Sequence, residues 1–211
     1  MKVSTRELMI AGPVGTLQTL NLWCESGPVR GIALVAHPNP QQGGTNQNKV
    51  VQTLAKAFAR KGYWVLCPNL CGVGGSEGQF DYGMGEADDM AAVLAWARQQ
   101  QPQATALPLM LAGFSFGTFV QAQLAARLQQ AGEPAPAMML AGPAVGRFPL
   151  ASVPPETLVV HGEEDEVVPL ADVLAWARPQ KLSVVVLPGV SHFFHGHLGQ
   201  LSQWVDIRWP G

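Results

Sequence analysis

Residues 109–125 read Leu-Met-Leu-Ala-Gly-Phe-Ser-Phe-Gly-Thr-Phe-Val-Gln-Ala-Gln-Leu-Ala, and they constrain the fold more than any other stretch. Four apolar residues, 109–112, have the length of a buried strand, and an alanine-rich segment of helical spacing follows with no linker. Between them lies Gly113-Phe114-Ser115-Phe116-Gly117. A chain passing from strand to helix in so few residues must turn sharply. Glycine two positions to either side of the serine removes the bulk that would hold strand and helix apart. The serine is then expected in a strained backbone conformation, its hydroxyl above the sheet edge at the positive end of the helix. A Gly-x-Ser-x-Gly pentapeptide alone is common, and its setting between strand and helix gives it meaning.

The rest of the chain fits a sheet around that strand. Further strands are expected at 6–10, 16–23, 31–36, 63–67, 137–140, 157–161 and 182–187, the first two joined as a hairpin by Gly12-Pro13-Val14-Gly15. Helices are expected at 47–61, 85–101, 170–177 and 197–209, besides the one after the serine. Asn46 is the expected cap of the first helix and Gly62 its stop. Glu86, Asp88 and Asp89 fall in the first turn of the second, where the helix dipole favours acids. Strands alternate with helices from residue 31 onward. The fold class is therefore α/β, a mostly parallel sheet of about eight strands with helices on both faces. No repeat or linker divides the chain, so one domain over 1–211 is expected, and 143–155 is too short for a helical lid.

Composition narrows the function classes. Hydrophobic residues make up 47% and charged ones only 13%, a balance that favours a packed core over a disordered chain. The net charge of −2, with no basic block, gives no reason to expect a nucleic-acid partner. Cys24, Cys67 and Cys71 are odd in number, against a disulfide framework, and Cys67 and Cys71 lack the second pair a zinc site needs. No metal and no cofactor is expected. The N-terminus leads into no signal-type apolar core, and no run reaches the ~18 apolar residues of a membrane span. A cytoplasmic protein is expected, monomer or homodimer, with a small-molecule substrate and no membrane partner.

Acyl transfer by serine needs a base to take the hydroxyl proton and an acid to hold that base in the right tautomer. In open α/β sheets such groups sit on loops at the carboxyl ends of strands. The loop after 157–161 carries Glu163, Glu164, Asp165 and Glu166, and that after 182–187 carries His192. Each alone has an ordinary reading: a charged surface loop, and one solvated histidine among His192, His195 and His197. Jointly they give serine, then acid, then histidine, the chain order of α/β-hydrolases. Ser115, Asp165 and His192 are thus the expected nucleophile, acid and base. Two N–H donors for the oxyanion are expected from the main chain of Phe116, directly after the serine, and of Asn39 in His37-Pro38-Asn39-Pro40. The Gly72–Gly78 stretch fails as a dinucleotide motif, because Glu77 stands where the third glycine belongs, and a mobile loop beside the site is expected instead.

These residues carry a resemblance. His37-Pro38-x-Pro40, Gly43-Gly44-Thr45, Asn48-Lys49-Val50-Val51 and Gly72-Val73-Gly74-x-Ser76-x-Gly78 are followed by Gly113–Gly117. Gly162-Glu163-x-Asp165-x-Val167-Val168-Pro169 and His192-Phe193-Phe194-x-Gly196 complete the set. Over nearly its whole length the chain resembles the α/β-hydrolase superfamily. More narrowly, it resembles the small lidless bacterial serine hydrolases related to dienelactone hydrolases and esterases. The resemblance implies the same Ser115, Asp165, His192 assignment, with main-chain donors at Phe116 and Asn39. Two positions depart: the group usually has histidine at 39 and arginine at 71. Dienelactone hydrolases proper use a cysteine nucleophile, which Ser115 is not. The expected activity is metal-independent hydrolysis of small carboxylic esters through an acyl-enzyme. A peptidase or amidase of the same fold, or a non-catalytic ligand-binding member, is the alternative. The Phe193, Phe194, Trp204 and Trp209 side chains are expected in the core.

Overall fold

The structure, a computed structural model, describes residues 1–100 and 107–209. Eight strands form one sheet in the order β1-β2-β4-β3-β5-β6-β7-β8. They are β1 (Val3–Ala11), β2 (Thr16–Cys24), β3 (Gly31–Ala36), β4 (Tyr63–Pro68), β5 (Leu109–Phe114), β6 (Ala137–Ala141), β7 (Leu158–Gly162) and β8 (Val184–Leu187). The hairpin β1–β2 is antiparallel, β2 joins β4 antiparallel, and every later pairing is parallel. The α/β reading with about eight mostly parallel strands holds.

Helices α1 (Lys49–Arg60), α2 (Met84–Gln100), α3 (Phe116–Gln130), α4 (Leu170–Gln180) and α5 (Leu198–Arg208) cover both faces. The two-residue period of a strand splits its side chains between two cores. Leu34 and Leu111 pack with Met90, Val93, Phe119 and Leu124 of α2 and α3 on one face. Val35, Met110 and Phe114 pack with Leu54 and Phe58 of α1 and Leu201 and Val205 of α5 on the other. Strands β3 and β7 are buried along their whole length, which is why they read as unbroken apolar runs.

Several boundaries differ from expectation. Helix α1 starts at Lys49, and its cap is Asn48, whose side chain accepts from the N–H of Val50 and Val51. Asn46, the expected cap, is buried and does other work. Its N–H donates to Asn69 Oδ1 at 2.8 Å, and its own amide donates to the Cys67 carbonyl at 3.0 Å. Helix α4 runs to Gln180, past 177, and β8 begins only at Val184. The expected end of the second helix, 101, lies outside the described residues. Of the four C-terminal aromatics, Phe194 is fully buried and Trp204 and Trp209 pack partly against the core. Phe193 is 41% exposed, a departure explained by the site.

Candidate active site

The turn from β5 into α3 takes the form its glycines require. Ser115 has φ 53° and ψ −121°, a conformation rare for a residue with a side chain. A Cβ on Gly113 would lie 2.5 Å from the Gly117 carbonyl oxygen, and one on Gly117 would lie 2.3 Å from that of Ala36. Main chain pressed this closely leaves room for glycine alone. Two further bonds hold the turn. The Ser115 N–H donates to the Ala141 carbonyl at 3.0 Å, and Thr118 Oγ1 donates to the Ser115 carbonyl at 2.6 Å.

The loops after β7 and β8 bring their candidates to this serine. His192 Nε2 lies 3.0 Å from Ser115 Oγ, and His192 Nδ1 lies 2.7 Å from Asp165 Oδ2. All three residues are buried. Asp165 Oδ1 accepts the N–H groups of Val167 and Val168 at 2.9 and 2.7 Å. Burial pushes the Asp165 carboxyl up, but its bond to His192, those main-chain donors and the imidazole charge outweigh burial and hold it below the ordinary carboxylate value. The imidazole is walled by Phe114 at 5.1 Å and met edge-on by Phe193 at 5.1 Å. That contact explains why Phe193 stays half-exposed beside the site.

The segment after β3 forms the opposite wall. His37 is fully buried. Its Nδ1–H donates to the Pro38 carbonyl at 2.7 Å, and its Nε2 accepts the Leu70 N–H at 3.0 Å. Burial, opposed only by the Pro38 carbonyl, lowers its pKa to about 4, so the ring is neutral in one tautomer and acts as a strut. The Asn39 side chain accepts from Gln41 N–H at 2.9 Å and starts a short 3-10 turn, Pro40–Gln42. Among the described residues no protein acceptor takes the N–H of Asn39, nor that of Phe116 at the start of α3. Asn39 lines a cavity of about 60 Å³ with Gln42, Gly44, Ser115, His192 and Phe193. The structure thus brings Ser115, His192, Asp165 and Asn39 together, with Phe116 next in chain to the serine.

Comparison with known proteins agrees with this architecture. The model of the X-Pro dipeptidyl-peptidase (S15) family matches residues 31–146. An uncharacterized protein of Rickettsia prowazekii is 30% identical over 95% of this chain and 87% of its own. An α/β serine hydrolase without lid from Xanthomonas campestris is 33% identical with a TM-score of 0.88, covering 100% of this chain and 98% of that one. The chain belongs to the lidless α/β serine-hydrolase family. A serine hydrolase homologue from Coxiella burnetii is 35% identical over 95% of both chains, with a TM-score of 0.81. Hydrolysis is the class of activity these relatives support for it.

In this hydrolase the stretch expected as a mobile loop, following β4, is anchored from several sides. Ser76 Oγ donates to the Asn69 carbonyl at 2.6 Å and accepts the Gln18 N–H at 2.9 Å. From α2, Glu86 accepts the N–H groups of Asp81 and Gly83 at 2.8 and 2.6 Å. Asp89 accepts the Cys71 N–H at 2.7 Å. Both carboxylates are buried and serve the loop; because α2 begins at Met84, Glu86 alone of the three expected acids lies in the first turn, where the dipole acts. Cys71 Sγ donates to the Gln79 carbonyl at 3.0 Å, and burial, with Asp89 and Glu86 alongside, pushes its thiol up and away from reactivity.

Asp89 yields a stability prediction. Burial, only partly offset by its bonds to Cys71, raises its carboxyl pKa to about 6. Because the folded value lies above the ordinary one, the charged form weakens the fold. That cost is complete above about pH 6 and fades as the pH falls through 6 toward 4. Asp89→Asn keeps an acceptor for Cys71 N–H and removes the charge. It is expected to stabilise the protein by about 1–3 kcal/mol at pH 8 and by little at pH 4, in urea unfolding. A variant less stable than wild type at pH 8 would contradict this.

Sequence reasoning missed His37, Thr118, Glu86 and Asp89 as supports of the site. His37, Asp89 and Thr118 meet the N–H groups of Leu70, Cys71 and Ala144, all distant in sequence, while Glu86 holds Asp81 and Gly83 of the loop just before its helix, and no spacing rule registers such bonds.

Proposed function

We propose that this hydrolase cleaves small carboxylic esters through an acyl-enzyme on Ser115. The observation that carries the reading is the unbroken chain from Asp165 through His192 to Ser115 Oγ, at 2.7 and 3.0 Å. Asp165 fixes the proton on Nδ1, leaving Nε2 free to take the Ser115 proton as Oγ attacks the ester carbonyl. The oxyanion forms against the free N–H groups of Phe116 and Asn39. His192 then protonates the departing alcohol and next activates the water that releases the acid. The cavity of about 60 Å³ beside Ser115 suits a group of a few heavy atoms, which favours short acyl esters. The family match favours peptide bonds as the second substrate class, because the same steps cleave an amide.

Incubation with a fluorophosphonate probe, followed by peptide mass spectrometry, tests the activated serine. One adduct per chain, on Ser115, is expected. Folded protein that takes no label would remove the mechanism. Turnover of p-nitrophenyl acetate should exceed that of an X-Pro p-nitroanilide at equal concentration, and the reverse order would favour the peptidase reading.

A further inference from the structure

His161 ends β7's apolar run and is completely buried beside Asp165, yet it has no place in the proton path. Its Nε2 lies 2.9 Å from the Val168 carbonyl, which can only accept, so this nitrogen carries the proton. The same Nε2 lies 3.6 Å from Asp165 Oδ2, the oxygen that meets His192. Among the described residues its Nδ1 has no partner. Burial keeps the ring from gaining a second proton, with Asp165 and the Val168 carbonyl opposing only in part. Val168 therefore bridges the two groups. Its N–H donates to Asp165 Oδ1, and its carbonyl accepts from His161.

We propose that His161 is a positioning residue for the hydrolytic reaction, a role that rests on the Ser115–His192–Asp165 reading. Its neutral Nε2–H closes the 165–168 turn through Val168 and turns the positive end of an N–H dipole toward Asp165 Oδ2. This sets the direction of that oxygen and shares its negative charge between His161 and His192. The charged groups around the pair are Asp165, His192 and Glu166, whose Oε2 accepts the His192 N–H at 3.1 Å. Without His161 the negative charge of Oδ2 is directed at His192 alone, and that oxygen loses the second N–H that fixes its direction.

The test compares ester turnover against pH for wild type, His161→Leu and His161→Gln. Leucine fills the space with no donor, and the glutamine amide restores an N–H. In His161→Leu, kcat is expected to fall about tenfold with KM within about twofold, and the acid limb of kcat/KM to move up by about 0.5 pH unit. His161→Gln is expected to return the limb to its wild-type position. An unmoved limb in a folded His161→Leu enzyme overturns the proposal, because a purely structural side chain would lower stability and leave the limb in place.

A second measurement needs neither turnover nor a variant at 161. By imidazole NMR, His161 is expected as the neutral Nε2–H tautomer at about pH 8. Its Nε2–H resonance is expected to move by about 0.5 ppm or more in Asp165→Asn, which removes the neighbouring charge. The other tautomer, or an unmoved resonance, overturns the proposal. Wild-type protein that hydrolyses no ester would count against the hydrolytic reading, and the NMR result would still decide His161.

Discussion

Ser115→Ala is expected to lower ester turnover by about 10⁵-fold or more. The serine Oγ is the only atom of the Asp165–His192–Ser115 chain placed to bond the acyl carbon, and alanine leaves His192 Nε2 with nothing to deprotonate. On the proposed mechanism, what remains is binding and the N–H groups of Phe116 and Asn39, which would leave some residual rate over water. Asp165→Asn is expected to cost less, about 10⁴-fold, because an amide that donates to Nδ1 selects the wrong imidazole tautomer and leaves the nucleophile intact. A Ser115→Ala, His192→Ala double variant should be scarcely slower than Ser115→Ala alone, since the two residues act as a unit. Initial rates on p-nitrophenyl acetate, with folding checked by circular dichroism, decide the matter. Activity of Ser115→Ala within a few-fold of wild type would end the mechanism.

Gly117→Ala is expected to destabilise the fold by about 3 kcal/mol or more, through overpacking against main chain. The added carbon would lie 2.3 Å from the Ala36 carbonyl oxygen and 2.8 Å from that of His37. Neither can swing aside like a side-chain tip. Ala36 is paired in register with Gly113 across β3 and β5, and His37 is pinned by its two ring bonds. The strain must therefore separate α3 from β3 or displace the Asn39 segment, so the folded fraction should also lose activity. Gly199→Ala is the control. It sits in α5 with nothing within 4 Å of the new carbon, and a small gain in helix stability is expected there. Urea unfolding of both separates packing from glycine loss as such, and equal effects would refute the close-approach argument.

Much of this architecture is legible in the linear chain. The unbroken apolar runs of β3, β5 and β7 announce strands covered on both faces, because burial on two sides removes the usual polar alternation. Gly113 and Gly117 announce the turn at Ser115, since local sterics allow few other residues there. The first turn of α1 was less legible. Asn46 and Asn48 are equal candidates for a cap by local chemistry, and only the position of Asn69, brought near from beyond β4, commits Asn46 elsewhere. Glu86 and Asp89 posed the same difficulty. Acids at a helix start read as solvated partners of the dipole, and their burial depends on a loop that folds back over α2 from residues 71–83.

The sequence by itself determined the strand and helix order, the sharp turn at Ser115, and the order in which serine, acid and histidine leave the strand ends. Those features follow from side-chain periodicity and short-range sterics, which act between near neighbours in the chain. Tertiary structure alone decided the 2.7 and 3.0 Å spacings that join Asp165, His192 and Ser115, across 27 and 77 positions of sequence. It also decided that His37 and His161 are buried neutral struts while His192 lines the cavity beside Ser115. The three imidazoles are chemically identical in the chain. What separates them is the desolvation and the fixed partners that each meets only once the sheet has assembled.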